Sequence, residues 1–272
     1  MKRFKMIYCF IFIFSSNIYS QTEDVKKGRI AEKLYHEKYS KLSFVIQPSK
    51  ITSFSAYNTN GATDYPSIKF NDSRSIQFGV YYNFAQSGNF NFKTGLIAKE
   101  FNPLFDLNVS DEDIGYGTGY DLTGFDFLNS FIFSIPVKAE YFLKVNENFN
   151  IVAGAGLSLD IFTGGGETVT GVSVHSETEG KDIFRAETHQ EQRTVSAEIS
   201  LGANYQTKFA LFQLEVLYNK NILDVAATGS YHIYNLEVSD DRQGVFVIDG
   251  NFYGLSLSIS PKKGWLKKKS NQ

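Results

Sequence analysis

Apolar and polar residues alternate along several segments of this chain, and short links and much longer ones join these segments in turn. In the clearest segment every second residue from Ile76 to Phe84 is apolar, and the residues between them are Gln, Gly, Tyr and Asn. Alternation with a period of two predicts β-strands with one apolar face. The short link over residues 86–89 (QSGN) has the composition of a hairpin turn. The alternation of short and long links is typical of an antiparallel β-barrel that has all its short turns at one end.

About eight such segments lie between Leu42 and Ser260. We therefore predict an all-β fold, a transmembrane up-and-down antiparallel β-barrel of about eight strands over residues 42–260. In hydrocarbon a sheet must close on itself, because every backbone polar group needs a partner within the protein. We expect the first strand to be interrupted at Pro48 and the last long loop to run to Asp249.

The charged residues of the predicted strands share one face. The outward rows carry no charge, and a single Lys or Arg at mid-membrane depth there would cost about 2 to 4 kcal/mol. A barrel of about eight strands has a lumen that side chains just fill. Mixed charges in it predict salt bridges and a plugged barrel, with a narrow ion path as the alternative. The predicted lumen residues are Lys93, Lys99, Lys138, Glu140, Asp160, Glu198 and Glu215.

The N-terminus has the pattern of a secretory signal peptide over residues 1–20, with a basic start, an apolar run and small polar residues up to Ser20. Its cleavage would remove Cys9, the single cysteine, and with it disulfide and thiol chemistry. We predict that residues 21–41 form a periplasmic N-terminal segment and that residues 261–272 form a basic periplasmic tail. No later apolar run reaches the roughly twenty residues that a membrane helix needs. We expect the cell outer membrane as the location.

Composition favours a barrel over a soluble secreted β-sandwich, which stays the alternative. Aromatic residues make up 15% of the chain and hydrophobic residues 42%, which suits half-apolar strands with aromatic girdles. The formal net charge of −2 and the acidic long links do not support nucleic-acid binding. We expect a monomer in contact with outer-membrane lipid and lipopolysaccharide, with envelope or secretion proteins as further partners.

One hairpin of the sequence carries a family resemblance. Residues 133–142 (FSIPVKAEYF) and the glycine-rich strand over residues 149–161 (FNIVAGAGLSLDI) resemble the corresponding hairpin of the PorT-like outer-membrane β-barrel family. By strand order and loop alternation, the likeness extends over most of residues 42–260. The resemblance implies an outer-membrane location and, for some members, a part in protein secretion or gliding. It transfers no catalytic residue to this chain.

The long link over residues 102–129 is acidic, with six carboxylates and no Lys or Arg. Clustered carboxylates can bind Ca²⁺ or Mg²⁺ through oxygen ligands. The run from Asp111 to Asp113 lacks the alternating spacing and the turn glycine of a dedicated calcium loop. We therefore predict a solvated loop, with no metal site and no cofactor.

Three histidines in the long links raise a last candidate chemistry. His175 and His189 lie near Ser173, Ser176 and several glutamates, and His232 lies in the next long link. A Ser, His and carboxylate grouping can activate a nucleophile, but polar loops bring these residue types together by chance. We predict no catalytic residue and no enzyme. The favoured function is a structural or interaction role through long acidic extracellular loops, linked to a protein secretion assembly. A small-solute channel is the second hypothesis, and a lipid hydrolase at the barrel rim is the third.

Overall fold

The computed structural model describes residues 37–59, 68–71, 73–110, 120–126, 128–166, 169–175, 182–235 and 242–264. The predicted signal peptide, most of the predicted N-terminal segment and the end of the basic tail lie outside these described residues. Within them the chain forms fourteen strands. The strands are β1 (Leu42–Asn58), β2 (Ile68–Phe70), β3 (Arg74–Ser87), β4 (Phe90–Phe101), β5 (Phe105–Val109), β6 (Tyr120–Phe125), β7 (Ser130–Lys144), β8 (Phe149–Phe162), β9 (Val169–His175), β10 (Asp182–Gln190), β11 (Arg193–Gln206), β12 (Ala210–Leu223), β13 (Ala227–Ile233) and β14 (Arg242–Pro261).

Eight of these strands close an antiparallel barrel. Their order is β1-β3-β4-β7-β8-β11-β12-β14, and β14 returns to pair with β1. This seam between β1 and β14 extends from Phe44 opposite Ile259 to Asn58 opposite Gly244. Because the ladder closes, the barrel wall has no open edge that water would have to solvate. The predicted fold class, an antiparallel barrel of about eight strands, is confirmed.

The outer surface of the barrel wall is apolar. Most of the large side chains predicted to point outward are exposed, including Phe44 at 61%, Ile199 at 61% and Val137 at 56%. The residues between them, such as Gln47 and Ser200, are buried. An apolar outer band and a polar interior are the arrangement that acyl chains require of a barrel. Among the described residues, no helix has the length and apolarity needed to cross a bilayer.

Two strands extend much further than the sequence predicted. β1 continues past Pro48, which remains in the ladder opposite Ile76 because a proline removes only its own N–H donor. β14 begins at Arg242, well before Asp249. Within it Gly250 has φ 76°, a conformation that glycine adopts without strain. The paired ends of β1 and β14 therefore run on beyond the other barrel strands.

The described parts of the long links fold into what we call the cap, instead of forming the loops that the sequence predicted. β13, β10 and β9 follow one another beyond the extension of β14 and form the cap sheet with it. β2, β5 and β6 form a second, small sheet. Both sheets have an apolar face, which neither could leave in water without a partner layer.

One hydrophobic cluster joins the cap to the mouth of the barrel. At the mouth, the rings of Phe101 and Phe162 lie 5.6 Å apart. Phe105 of the small sheet lies 6.1 Å from Phe246 of the cap sheet, centroid to centroid. Burying one such side chain contributes about 1.5 to 3 kcal/mol. The buried members are Ile51, Ile68, Phe101, Phe105, Leu107, Val109, Leu128, Ile132, Phe162, Ile183, Phe184, Ala186, Ala226, Ala227, Tyr231, Ile233, Phe246, Ile248 and Phe252.

Candidate functional site: a filled lumen beneath the cap

The structure places all the predicted lumen residues inside the barrel and joins them in two clusters. The central cluster contains Lys93, Lys138, Glu140, Glu198 and Glu215. The second cluster pairs Lys99 with Asp160. Six of these residues are at most 5% exposed, and the side chain of Glu198 is 14% exposed. Charges buried to this degree require partners, since an unpaired one would be far costlier than a broken surface pair.

In the central cluster two lysines bridge three glutamates. Nζ of Lys138 lies 3.0 Å from Oε1 of Glu198 and 3.1 Å from Oε1 of Glu215. Nζ of Lys93 lies 2.6 Å from Oε1 of Glu140 and 3.9 Å from Oε2 of Glu215. Glu215 therefore links the two lysines into one network.

Neutral side chains donate further hydrogen bonds to two of these carboxylates, Glu140 and Glu215. Gln213 Nε2 donates to Glu140 Oε1 at 2.7 Å and to Glu215 Oε2 at 2.9 Å. Ser200 Oγ donates to Glu215 Oε1 at 2.6 Å, and Asn91 Nδ2 donates to Glu140 Oε2 at 3.0 Å. These hydrogen bonds hold the two carboxylates in one arrangement beside the lysines.

The second cluster lies nearer the cap. Nζ of Lys99 is 3.0 Å from Oδ1 of Asp160 and 5.5 Å from the ring centroid of Phe252. Ser196 Oγ donates to Asp160 Oδ2 at 2.8 Å, and Ser134 Oγ also hydrogen-bonds this carboxylate. Lys99 thus touches the edge of the apolar cluster at the barrel mouth.

Gly154 in β8 leaves space for the central cluster. A Cβ at Gly154 would lie 2.4 Å from Cε of Lys138 and 2.6 Å from Oγ of Ser200. Real Cβ atoms do not approach other atoms this closely, so a larger residue at Gly154 would displace the network. Gly202 in β11 has a different role, because a Cβ there would meet the backbone of β12, 2.0 Å from the carbonyl oxygen of Leu214 and 2.6 Å from Cα of Glu215. Gly202 therefore allows the close approach of two neighbouring strands.

An apolar plug closes the lumen at the short-turn end. Tyr39 precedes β1 and is 3% exposed, packed with Phe142, Val152 and Leu211. Its hydroxyl donates to the carbonyl oxygen of Thr207 at 3.0 Å. The described lumen is consequently apolar at this end, ionic in the middle and apolar again where the cap begins.

The three histidines lie in the cap, and the structure does not bring them together. His175 Nδ1 lies 2.5 Å from Oδ1 of Asp182 on an exposed surface. His189 pairs with Thr228, and His232 pairs with Arg185, so the two histidines are four positions apart along β10 and β13. Ser176, the serine next to His175, lies outside the described residues.

The acidic link over residues 102–129 is partly folded into the small sheet. Asp106 accepts hydrogen bonds from Asn71 Nδ2 and from the backbone N of Gly124, each at 2.9 Å. The carboxylate of Asp106 therefore stabilises the small sheet. The run from Asp111 to Asp113 lies outside the described residues. In the described part of the chain, no group of three or more His, Cys, Asp or Glu could hold a metal ion.

The outward face of the cap sheet is polar. Arg185 Nη2 lies 2.8 Å from Oε1 of Glu187, and the ring of His232 stacks on Tyr234 at 4.2 Å. With Gln243 these residues line an open groove of about 350 Å³. This face is the opposite face of the cap sheet from the apolar cluster.

The closed wall, the apolar outer band and the filled lumen define the chain as a transmembrane β-barrel protein. No protein-family model matches the sequence. A search among curated proteins finds no match either. The resemblance to the PorT-like family therefore remains a prediction.

The barrel is similar to solved structures of outer-membrane proteins, and three of them serve as examples. The outer membrane protein OprG from Pseudomonas aeruginosa is 15% identical, with 79% of this chain and 95% of that chain covered and a TM-score of 0.41. Neisserial surface protein A is 13% identical, with 82% and 99% covered and a TM-score of 0.35. The outer membrane protease OmpT from Escherichia coli is 9% identical, with 82% and 94% covered and a TM-score of 0.35.

Proposed function

We propose that this protein is an outer-membrane barrel that does not conduct solutes and that acts by presenting its cap to partners in the cell envelope. The observation that carries this proposal is the filling of the lumen. An apolar plug at Tyr39, the ion-pair clusters and the apolar cluster under the cap follow one another along the barrel axis. A channel needs a hydrated path through these layers.

The outer-membrane location is supported by the barrel itself. Bacterial barrels of this kind have their short turns on the periplasmic side and their long links outside. Here the short links after Ser87, Lys144 and Gln206 lie at one end, and the cap lies at the other. The cap would then face the cell exterior.

An interaction role is supported by the construction of the cap. The cap sheet is continuous with the barrel through β14, which is paired with β1 along the seam. Its outward face offers Arg185, Glu187 and Gln243, and charged and amide groups suit polar partners more than lipid. The partner class that we propose is an envelope protein of a secretion assembly, since the PorT-like resemblance implies that setting for some members of the family.

Two measurements test the proposal. In planar bilayers the purified protein should give no reproducible current steps, and such steps would contradict a sealed lumen. In intact envelopes, a photocrosslinking residue at Gln243 on the cap should capture a protein. The matched control is the same residue at Val137, which is 56% exposed on the barrel wall and should capture only lipid. Equal protein capture at both positions, or none at Gln243, would contradict the interaction role.

A further inference from the structure

A groove opens at the short-turn end of the barrel, next to the seam between β1 and β14. Its volume is about 630 Å³. Its wall includes three lysines, Lys38, Lys208 and Lys262, and two aromatic residues, Tyr205 and Phe209. This groove is separate from the lumen, because the buried side chain of Tyr39 closes the barrel behind it.

Backbone pairing brings the lysines together from three parts of the chain. The backbone N of Lys263 donates to the carbonyl oxygen of Lys38 at 3.0 Å, which ties the end of β14 to the residues before β1. The backbone N of Lys262 donates to the carbonyl oxygen of Phe209 at 2.8 Å, which ties it to the turn between β11 and β12. The backbone positions that carry these lysines are thus fixed next to one another by the fold.

The whole short-turn end is basic in the described part of the chain. Near the seam, the exposed lysines share their surface with Glu37. Further around the rim, Glu147 is the other acidic residue of the described turns. The lysines of this end are Lys38, Lys41, Lys144, Lys208, Lys262 and Lys263. Six lysines against two glutamates make a surface that attracts anions.

The aromatic residues of the groove belong to the lipid-facing wall. Tyr205 is 53% exposed at the end of the outward row of β11, and Phe209 is 50% exposed in the adjoining turn. The ring of Phe209 packs edge-on against Phe212 of the outward row of β12, at 5.9 Å. Aromatic side chains at this depth belong to the girdle where acyl chains meet headgroups.

We propose that this groove binds an anionic phospholipid of the periplasmic leaflet. The three lysines would hold the headgroup phosphate, and the acyl chains would lie along Tyr205, Phe209 and the apolar wall next to them. The assignment rests on the proposed outer-membrane location. The proposed ligand is specific to this part of the rim, because basic and aromatic side chains lie together there around a concave surface.

Native mass spectrometry of the full chain in detergent tests the assignment. The protein is incubated with phosphatidylglycerol or with phosphatidylcholine of the same acyl chains. We expect the wild type to retain the anionic lipid preferentially. The variant Lys38→Gln/Lys208→Gln/Lys262→Gln should lose at least about fivefold of that retention, since one lysine beside an anionic headgroup contributes roughly this factor.

A matched variant removes equal charge at the opposite end, through Lys69→Gln, Arg193→Gln and Lys220→Gln, three exposed positions. It should retain the anionic lipid as the wild type does. Equal retention of the two lipids by the wild type, or equal loss in both variants, would overturn the assignment. A different result would contradict the outer-membrane proposal itself. In that case the purified protein would stay monodisperse in buffer without detergent, before any lipid is added.

Discussion

Nζ of Lys138 lies 3.1 Å from Oε1 of Glu215, although β8 and β11 separate their strands in the barrel wall. The contact therefore crosses the lumen and ties opposite parts of the wall together. Gly154 leaves the space that the Lys138 side chain occupies in this contact. A surface ion pair would contribute little, whereas breaking a buried one leaves a charge without a partner.

Replacement of Lys138 by methionine should therefore be strongly destabilising. Lys138→Met leaves Glu198 and Glu215 without their shared cation, and we expect a loss of about 3 to 5 kcal/mol in the free energy of unfolding. Urea titration of the refolded barrel in lipid vesicles measures it. Lys220→Met, at an exposed position, is the control and should change little. Similar stabilities for the two variants would show that the lumen network is hydrated and weak.

The glycine beneath Lys138 gives a second prediction. In Gly154→Ala the new Cβ would meet Cε of Lys138 at 2.4 Å, so the network must shift, at a loss of about 1 to 3 kcal/mol. Ala153→Leu adds more volume on the exposed side of the same strand and should be tolerated. The comparison uses the same urea titration, and the prediction fails if Ala153→Leu is the more damaging change.

The lipid-facing wall gives a prediction that depends on depth. Ile199 lies at the middle of β11 and is 61% exposed, so Ile199→Arg should cost about 2 to 4 kcal/mol in a bilayer. Val145 lies in a short link and is 54% exposed, and Val145→Arg should cost about 0 to 1 kcal/mol. Unfolding in vesicles of defined thickness compares them. Equal costs would mean that the bilayer does not cover the middle of β11.

The cap should unfold without the barrel. Phe105 is fully buried between the two cap sheets, so Phe105→Asp places an unpaired charge in the apolar cluster, which costs several kcal/mol. We expect limited proteolysis to cut the cap of this variant while the barrel keeps its heat-modifiable mobility on gels. Tyr57→Asp, at a position 58% exposed, should resist cleavage as the wild type does.

The barrel could be predicted from the sequence because one face of each strand meets lipid and the other meets packed polar groups. Strict alternation follows, as from Ile76 to Phe84 in β3. The same alternation separated Lys138 and Glu215 from the outward rows, and the structure places both in the lumen. Which lysine contacts which glutamate depends on how side chains cross the lumen, and the strand order alone does not determine that.

The cap was missed because its strands are short and polar on their outward faces. The loops predicted from polarity contain buried pairs such as Ile183 and Phe184 in β10, adjacent residues that break a period of two. A usable signal was present in β5, where Phe105, Leu107 and Val109 alternate with polar residues inside the acidic link. Carboxylates around them obscured this pattern, and Asp106 belongs to the sheet that the pattern indicates.

β14 attaches the cap sheet along one of its edges and closes the barrel along the other. β13 pairs with β10 and with β14, while β14 also completes the cylinder by joining β1. The strand that completes the membrane wall is therefore also the strand that carries the cap sheet. The orientation of the outward face of the cap is thus set by the same backbone that crosses the bilayer.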